Sequence, residues 1–330
     1  MSGAELVSLV MPAYNHARFI EEAVRSVMDQ TYENIEFLVL DDGSGDATFE
    51  ALQKMRPACE KRFARVVMER QANQGTALTL NRLFSQAEGR FLTALASDDV
   101  LHSDYVRVCH DFLSKNKDYG AVNVESDLID EQSNPIYLNR YFKKVSYRPG
   151  ARHKTFGDYL RHTYKNIDFK SDEFGRYENL LRGNHIQQGL FYRRELIDPS
   201  ACFTEKAPLE DWFLALQLAK KTRIKFIEAP PLYHYRWHDR NTIKQNSLMK
   251  VMAKRTLRHE AQMVAESGDS GLQKRFQDAF PYDRFFIKSL GLLVFRRHTL
   301  EGAAMMFKIW GLPALAIPEK LVAWLKKALN

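Results

Sequence analysis

The sequence predicts an α/β protein built on a mostly parallel sheet with helices on both faces. Three observations predict it. Short, nearly continuous apolar runs recur through the first 125 residues, as expected of strands buried on both sides. Segments with apolar residues three and four apart separate those runs, the spacing of amphipathic helices. Polar motifs fall where the runs end, and ligands of open α/β sheets bind beyond the carboxyl ends of the strands.

The elements follow in order. Leu6 to Pro12 reads as a buried strand, and Ala17 to Gln30 as a helix with Ile20, Ala23, Val24 and Val27 on one face. Ile35 to Leu40 is the second strand and ends in Asp41-Asp42-Gly43-Ser44, where Ser44 or Asp46 can cap a helix to about Met55. Val66 to Glu69 is a third strand and Thr76 to Ala87 a third helix. Phe91 to Leu95 is a fourth strand ending at Ser97-Asp98-Asp99; a helix from Ser103 to about Asn116 and a strand from Ala121 to Glu125 follow. From about Leu128 to Asn184 the pattern dissolves into polar, aromatic-rich sequence, with one helix expected at Phe156 to Thr163. Order returns at Ile186 to Tyr192, with a helix at Leu209 to Lys220, a strand at Ile224 to Glu228 and a loop from Ala229 to Thr242. Beyond Ser247 the chain reads as helical to its end. Strands alternating with helices in this way give a parallel sheet covered on both faces.

Composition narrows the function. With 330 residues, 45% hydrophobic and 27% charged, the chain suits a folded globular protein. It has no uninterrupted apolar run long enough to span a membrane, and its first residues lack a basic region followed by a cleavage site, so neither a spanning helix nor a signal peptide is expected. Three widely spaced cysteines predict reduced thiols in a cytoplasmic protein and share no metal-ligand spacing. The net charge of +7 sits entirely in the last quarter: Lys250 to Asn330 holds 14 Lys and Arg against 7 Asp and Glu, while the preceding residues hold 34 of each. A nucleic-acid partner is therefore not expected, and no nucleic-acid motif is present.

The candidate chemistry lies in the carboxylates. Asp41-Asp42 and Asp98-Asp99 each follow an apolar strand, so four acids reach one sheet edge. Adjacent acids repel unless a cation or donor neutralises them, and hard oxygen ligands suit Mg²⁺ or Mn²⁺ holding a diphosphate. The plainer reading of Asp-Asp-Gly-Ser is a turn with a helix cap. Glu210-Asp211 opens a helix, where acids complement the positive end of the dipole or supply a rigid general base. Residues 233–242 pack aromatics, His234, His238, Arg236 and Arg240 together; the arginines can hold phosphate, and a histidine can bind phosphate or metal. The two histidines are four apart, but no further ligand spacing completes a zinc site. GxxxxGK[ST] is absent, and Gly43-Ser-Gly45 lacks the third glycine of a dinucleotide fingerprint.

Taken together, MPAYN at 11–15, LVLDDGSGD at 38–46, NQG at 73–75, SDD at 97–99 and LED at 209–211 resemble family 2 of the GT-A glycosyltransferases, over about Leu6 to Thr242. The resemblance implies a nucleotide-diphospho-sugar transferase fold over residues 1–247, with a nucleotide-binding half to about 125 and an acceptor half beyond, plus a helical basic extension at 248–330. It implies an inverting enzyme of the bacterial polysaccharide type that moves one sugar from a nucleoside-diphosphate sugar, a UDP-sugar for preference, to a glycan or lipid-linked glycan. Pro12, Ala13, Tyr14 and Asn15 then line the nucleoside pocket, with Asn73 and Gly75 nearby, and Asp41 or Asp42 bonds the base or ribose. Asp98 faces the ribose or donor sugar, and Asp99 holds the Mn²⁺ or Mg²⁺. Gln187, Gln188, Glu210 and Trp212 lie near donor sugar and acceptor, Arg236 and His238 reach the diphosphate, and His238 also reaches the metal. Asp211 is the implied base. Ala96 or Ser97 stands where a common family pattern has Asp, which leaves the metal one direct carboxylate, Asp99, and the QxxRW motif of processive synthases is missing. A nucleotidyltransferase would also bind a sugar nucleotide, but it usually carries a glycine-rich, Arg-containing loop after its first strand, where this chain has Ala13-Tyr14-Asn15-His16.

The tail carries a separate expectation. Leu321, Trp324, Leu325 and Ala328 share one face of a final helix whose lysines lie elsewhere. Such a face suits an anionic membrane at the inner side of the cell, or packing on the body or on a second subunit of an oligomer.

Overall fold

The computed structural model describes residues 4–141, 143–146, 151–198, 202–228, 230–239 and 241–279. The apolar 302–312 stretch, the final helix and Arg240 lie outside these residues, as do the membrane and oligomer expectations that rest on the tail.

Strands β1 (Val7–Ala13), β2 (Ile35–Asp41), β3 (Arg65–Arg70) and β4 (Phe91–Ala94) alternate with helices α1 (Ile20–Met28), α2 (Thr48–Arg62) and α3 (Thr76–Gln86). After them come β5 (Val100–Leu101), α4 (Tyr105–Lys115), β6 (Tyr119–Val124), β7 (Ser126–Ile129), β8 (Pro135–Leu138) and β9 (Lys144–Val145). The second half adds α5 (Phe156–Thr163), α6 (Tyr177–Leu181), β10 (Phe191–Arg193), α7 (Glu210–Lys221), β11 (Arg223–Ile227), β12 (Tyr233–Arg236), α8 (Asn246–Glu266) and α9 (Ser270–Ala279).

The main sheet has the order β11-β6-β10-β4-β1-β2-β3. All its pairings are parallel except those of β10, which runs antiparallel to both β4 and β6. In the central strand β1, Val7, Leu9, Val10 and Met11 are fully buried, each stabilising the fold by about 1.5–3 kcal/mol relative to exposure. Register then brings the functional ends together, since Ala13 pairs with Asp41, and Asp41 with Arg70.

A smaller sheet, β5-β12-β7-β8-β9, lies beyond the main one. The chain crosses between them at Glu125, between the last residue of β6 and the first of β7. That carboxylate is buried and accepts from the Ser126 and Gly157 amides at 3.0 and 2.8 Å, and it pairs with Arg161 at 2.8 Å. A Cβ on Gly157 would lie 2.3 Å from the Glu125 oxygens, so only glycine fits there.

Three expectations change here. The stretch after Leu128 holds β8, β9 and α6 as well as the expected helix at Phe156–Thr163. The 229–242 loop contains β12, which pairs with β5 and β7. The ordered stretch at 186–192 has no regular element before the three-residue β10, with a bend at Gln188 and a left-handed Gly189. α8 packs on the body: its fully buried Glu260 bonds Lys220 Nζ at 2.8 Å and accepts the Tyr177 hydroxyl, while Thr256 accepts the Leu209 amide. Cys59, Cys109 and Cys202 are buried free thiols. Among the described residues no helix is long and apolar enough to cross a membrane.

Candidate active site

A cavity of about 460 Å³ opens where β1, β2 and β4 end, closed on the far side by the residues before β10 and by the start of α7. Pro12, Ala13, Tyr14, Asp42, Asp98 and Asp211 are among the residues that line it. Tyr14 leaves 48% of its surface exposed there, a free aromatic face at the mouth.

The two residues of each aspartate pair part company. Asp41, the last residue of β2, is fully buried; its carboxylate accepts the Ser44 hydroxyl and amide and pairs with Arg70 Nε at 3.2 Å. It builds the turn and does not line the cavity, so the donor-binding expectation is corrected for Asp41, and of this pair only Asp42 lines the cavity. Asp42 in turn holds the next loop, accepting from Gln71 Nε2 at 2.8 Å and from the amides of Gln74 and Gly75 at 2.9 Å each. Gly75 has φ +83°, a left-handed conformation that glycine adopts without strain. The exposed Asn73 lies on the same loop, its amide packed against Gly43, and neither Asn73 nor Gly75 lines the cavity. Asn15, with φ 54°, crosslinks the two strand-end loops: its amide donates to Ser44 Oγ at 2.9 Å and its Oδ1 accepts from Gly45 at 2.8 Å.

After β4 the arrangement reverses. Asp99, the expected metal ligand, is buried and turned inward. Its Oδ2 accepts the Tyr233 hydroxyl and its Oδ1 the Arg236 amide, both at 2.8 Å. Burial and the neighbouring Asp98 push its carboxyl well above the usual range. Asp98 is the acid that faces the cavity. Its Oδ2 lies 2.9 Å from His238 Nε2 and 3.8 Å from His16 Nε2. Burial opposes its ionisation, but the His238 hydrogen bond and the two imidazoles outweigh burial and leave Asp98 below its ordinary value.

Two further expectations are corrected. Arg236 is not available to a diphosphate. It is fully buried, with Nε on the Asp98 carbonyl at 2.6 Å, Nη1 on the Asp130 carbonyl and Ser133 Oγ, and Nη2 on Glu22 at 2.7 Å. Trp212 is buried in the core with its indole N–H on the Leu180 carbonyl at 2.9 Å, and it does not line the cavity. Gln187 lines the cavity but is also a brace, with Oε1 accepting the Ser126 amide at 2.8 Å; Gln188 lines it beside the left-handed Gly189.

Glu210 and Asp211 line the same cavity from the first turn of α7, where the helix dipole favours negative charge. Burial and the Asp211 charge push Glu210 up to about 7. Burial raises Asp211 as well, against the Trp212 amide and the Asn184 side chain, which donate to it. Residues that the sequence reading missed also line the cavity, among them His16, Thr79, Tyr192 and Tyr233. His16 directly follows the Ala13-Tyr14-Asn15 motif, so its place at a strand end was available from the sequence. Tyr233 was hidden in a segment taken for loop.

The family model for glycosyl transferase family 2 matches residues 8–177, more than half of the chain. The chain belongs to glycosyl transferase family 2. An uncharacterized glycosyltransferase of Haemophilus influenzae is 28% identical over 141 residues, which make up 43% of each chain. This family-2 chain therefore spans less than half the length of that relative. Among solved structures it is similar to residues 1–349 of TarS from S. aureus in complex with UDP, at a TM-score of 0.57 and 16% identity over 96% of this chain and 82% of that one. It is also similar to the mannosyltransferase PcManGT from Pyrobaculum calidifontis in complex with GDP-Man and Mn²⁺, at 0.53 and 17% over 98% and 84%. At these identities the likeness concerns the fold.

Proposed function

We propose that this family-2 chain transfers one sugar from a nucleoside-diphosphate sugar to a hydroxyl of a glycan or lipid-linked glycan, with inversion, and that residues 1–247 carry the reaction. The observation that supports this best is that Asp98 and Asp211 line one cavity together with Pro12, Ala13 and Tyr14. Tyr14 and Asp42 take the nucleoside, with Asp42 also keeping the 71–75 loop in place.

The donor set suits a hard divalent cation that keeps open positions. Asp98 and His238 present a carboxylate and an imidazole 2.9 Å apart, although among the described residues no three His, Cys, Asp or Glu side chains gather as a metal site. Asp98 and His238 would hold the ion, with diphosphate and water completing its shell; when bound, it supplies charge neutralisation for the leaving diphosphate. Asp211 accepts the proton of the attacking hydroxyl. The Trp212 amide, donating to Asp211 Oδ1 at 2.6 Å, fixes that carboxylate at the helix start. Raised above its ordinary value by burial, Asp211 is a stronger base than a solvated aspartate.

A panel of UDP-, GDP- and dTDP-sugars tests the reading through thermal stabilisation and release of the nucleoside diphosphate, with and without Mn²⁺. One nucleoside class is expected to stabilise the protein and to be slowly hydrolysed. Absence of both effects across the panel would overturn it.

A further inference from the structure

Between Glu131 and Asp158 the chain carries no acidic residue, yet it holds Arg140, Lys143, Lys144, Arg148, Arg152 and Lys154. The fold turns part of this run into a shaped surface at the outer end of the smaller sheet. Asn139 organises the turn: its amide donates to the Lys143 carbonyl at 3.0 Å, and its Oδ1 accepts the Tyr141 and Lys143 amides at 2.8 and 3.2 Å. On the other side of β8, the Leu138 amide donates to the His153 carbonyl at 3.0 Å and the Arg152 amide to the Leu138 carbonyl at 2.9 Å. These bonds set Arg152 beside Arg140 although twelve residues separate them. Between them lies a second cavity of about 360 Å³, lined by Asn139, Arg140, Tyr141, Ala151 and Arg152.

Its chemistry is specific. Arg140 and Arg152 are exposed, and among the described residues neither has a carboxylate within ion-pair distance; Arg152 meets only His162, at 3.5 Å, whereas Lys144 is already paired with Asp130. Desolvation, with the positive charges of Arg152 and Lys165, holds the His162 imidazole below its ordinary value. Tyr141 is 63% exposed with the Arg140 guanidinium 4.6 Å from its ring centroid. Two guanidiniums present planar forks that fit carboxylates bidentately, and an exposed phenol ring offers a flat apolar face to a sugar. The surface begins at the end of β8, two strand spacings, roughly 10 Å, from β12, whose Tyr233 lines the catalytic cavity.

We infer that the cavity between Arg140, Tyr141 and Arg152 binds a carboxylate-bearing glycan, and that this glycan is the body of the acceptor chain whose end reaches Asp211. The acceptor role rests on the proposed transfer reaction; the binding itself does not, and it is measured without any donor. Calorimetry at low ionic strength should show the full-length protein binding oligogalacturonate, more weakly as salt screens the charges, and not binding a neutral oligogalactan of equal length. The R140A/R152A variant should lose about tenfold or more in affinity for oligogalacturonate. R140K/R152K should recover only part of that loss, because an ammonium lacks the planar fork. Hydrolysis of the sugar nucleotide by water should be unchanged in both variants, which also shows that they fold. Equal binding of the charged and neutral chains, or an unchanged affinity in R140A/R152A, would overturn the inference while leaving the transferase reading intact. Arginine-dependent pelleting with phosphatidylglycerol vesicles without oligogalacturonate binding would overturn it too, and reassign the surface to lipid. Oligogalacturonate binding without any nucleotide-sugar hydrolysis would keep the glycan site and remove its role as acceptor site.

Discussion

The loops after β2 and β4 each carry two adjacent aspartates, and the two pairs are turned in opposite senses. After β2 the first acid is buried, serving the turn and Arg70, while the second faces the cavity. After β4 the first acid faces the cavity, while the second is buried under Tyr233 and Arg236. The difference lies in what reaches the loop from elsewhere. Asp41 ends its strand opposite Arg70 of β3, so a cation meets the first acid. Asp99 meets β12, whose backbone amide and phenol hydroxyl arrive from more than 130 residues away and capture the second acid. In each loop one carboxylate is turned into the fold, and its neighbour lines the cavity.

Exchanging the two roles is the sharpest way to break this comparison. Asp98→Asn should lower transfer by about 10²-fold or more and abolish its enhancement by Mn²⁺, with little change in melting temperature. Asp99→Ala should do the reverse in stability. It leaves a phenol hydroxyl and an amide buried without their acceptor, at about 1–3 kcal/mol each, so the melting temperature should fall by several degrees. Denaturation scans beside metal titrations of activity decide between them; a thermostable Asp99→Ala protein that loses only its metal response would return the ligand role to Asp99.

A smaller effect is expected at the other loop. Asp42→Ala should weaken nucleotide binding about tenfold by releasing the 74–75 amides, each a charge-assisted hydrogen bond. Asp41→Ala should chiefly lower stability. Calorimetric titration with the preferred nucleoside diphosphate reads the first and thermal melting the second, and equal loss of affinity in both would mean that the two acids act alike.

The smallest effect concerns Glu210, which sits beside Asp211 and, among the described residues, pairs with no cation. Its pKa lies at about 7 in the fold against 4.5 ordinarily, so the native state holds the proton more tightly than the unfolded chain does. The stability this provides is complete below about 4.5 and is lost as pH rises to about 7. Glu210→Gln removes the titration. Wild type should therefore lose stability relative to the variant across that window, and the gap should be constant above it. A gap that does not change with pH would show that Glu210 is not held protonated.

Much of this was legible in the sequence because it is local. The strands β1 to β4 are apolar runs buried on both faces, and the helix at Phe156–Thr163 carries its own N-cap, with Thr155 Oγ1 accepting the Asp158 amide. The acids at strand ends were visible for the same reason. What was hidden depends on distant partners. Arg236 reads as a phosphate ligand until Glu22, Asp98 and Asp130 take up its N–H groups. Trp212 reads as a sugar platform until the Leu180 carbonyl claims its indole. β12 is four residues long and polar in composition, and its pairing with β5 and β7 makes it a strand, a contact with no signature in residues 233–236 themselves.

The most direct test is Asp211→Asn, assayed for both donor binding and transfer with the sugar nucleotide that the panel identifies. The substitution keeps the size of the side chain and removes its basicity, so donor affinity measured by calorimetry should stay close to wild type while transfer falls by about 10²–10⁴-fold. Transfer at near wild-type rate by this variant would contradict the assignment of Asp211 as the base.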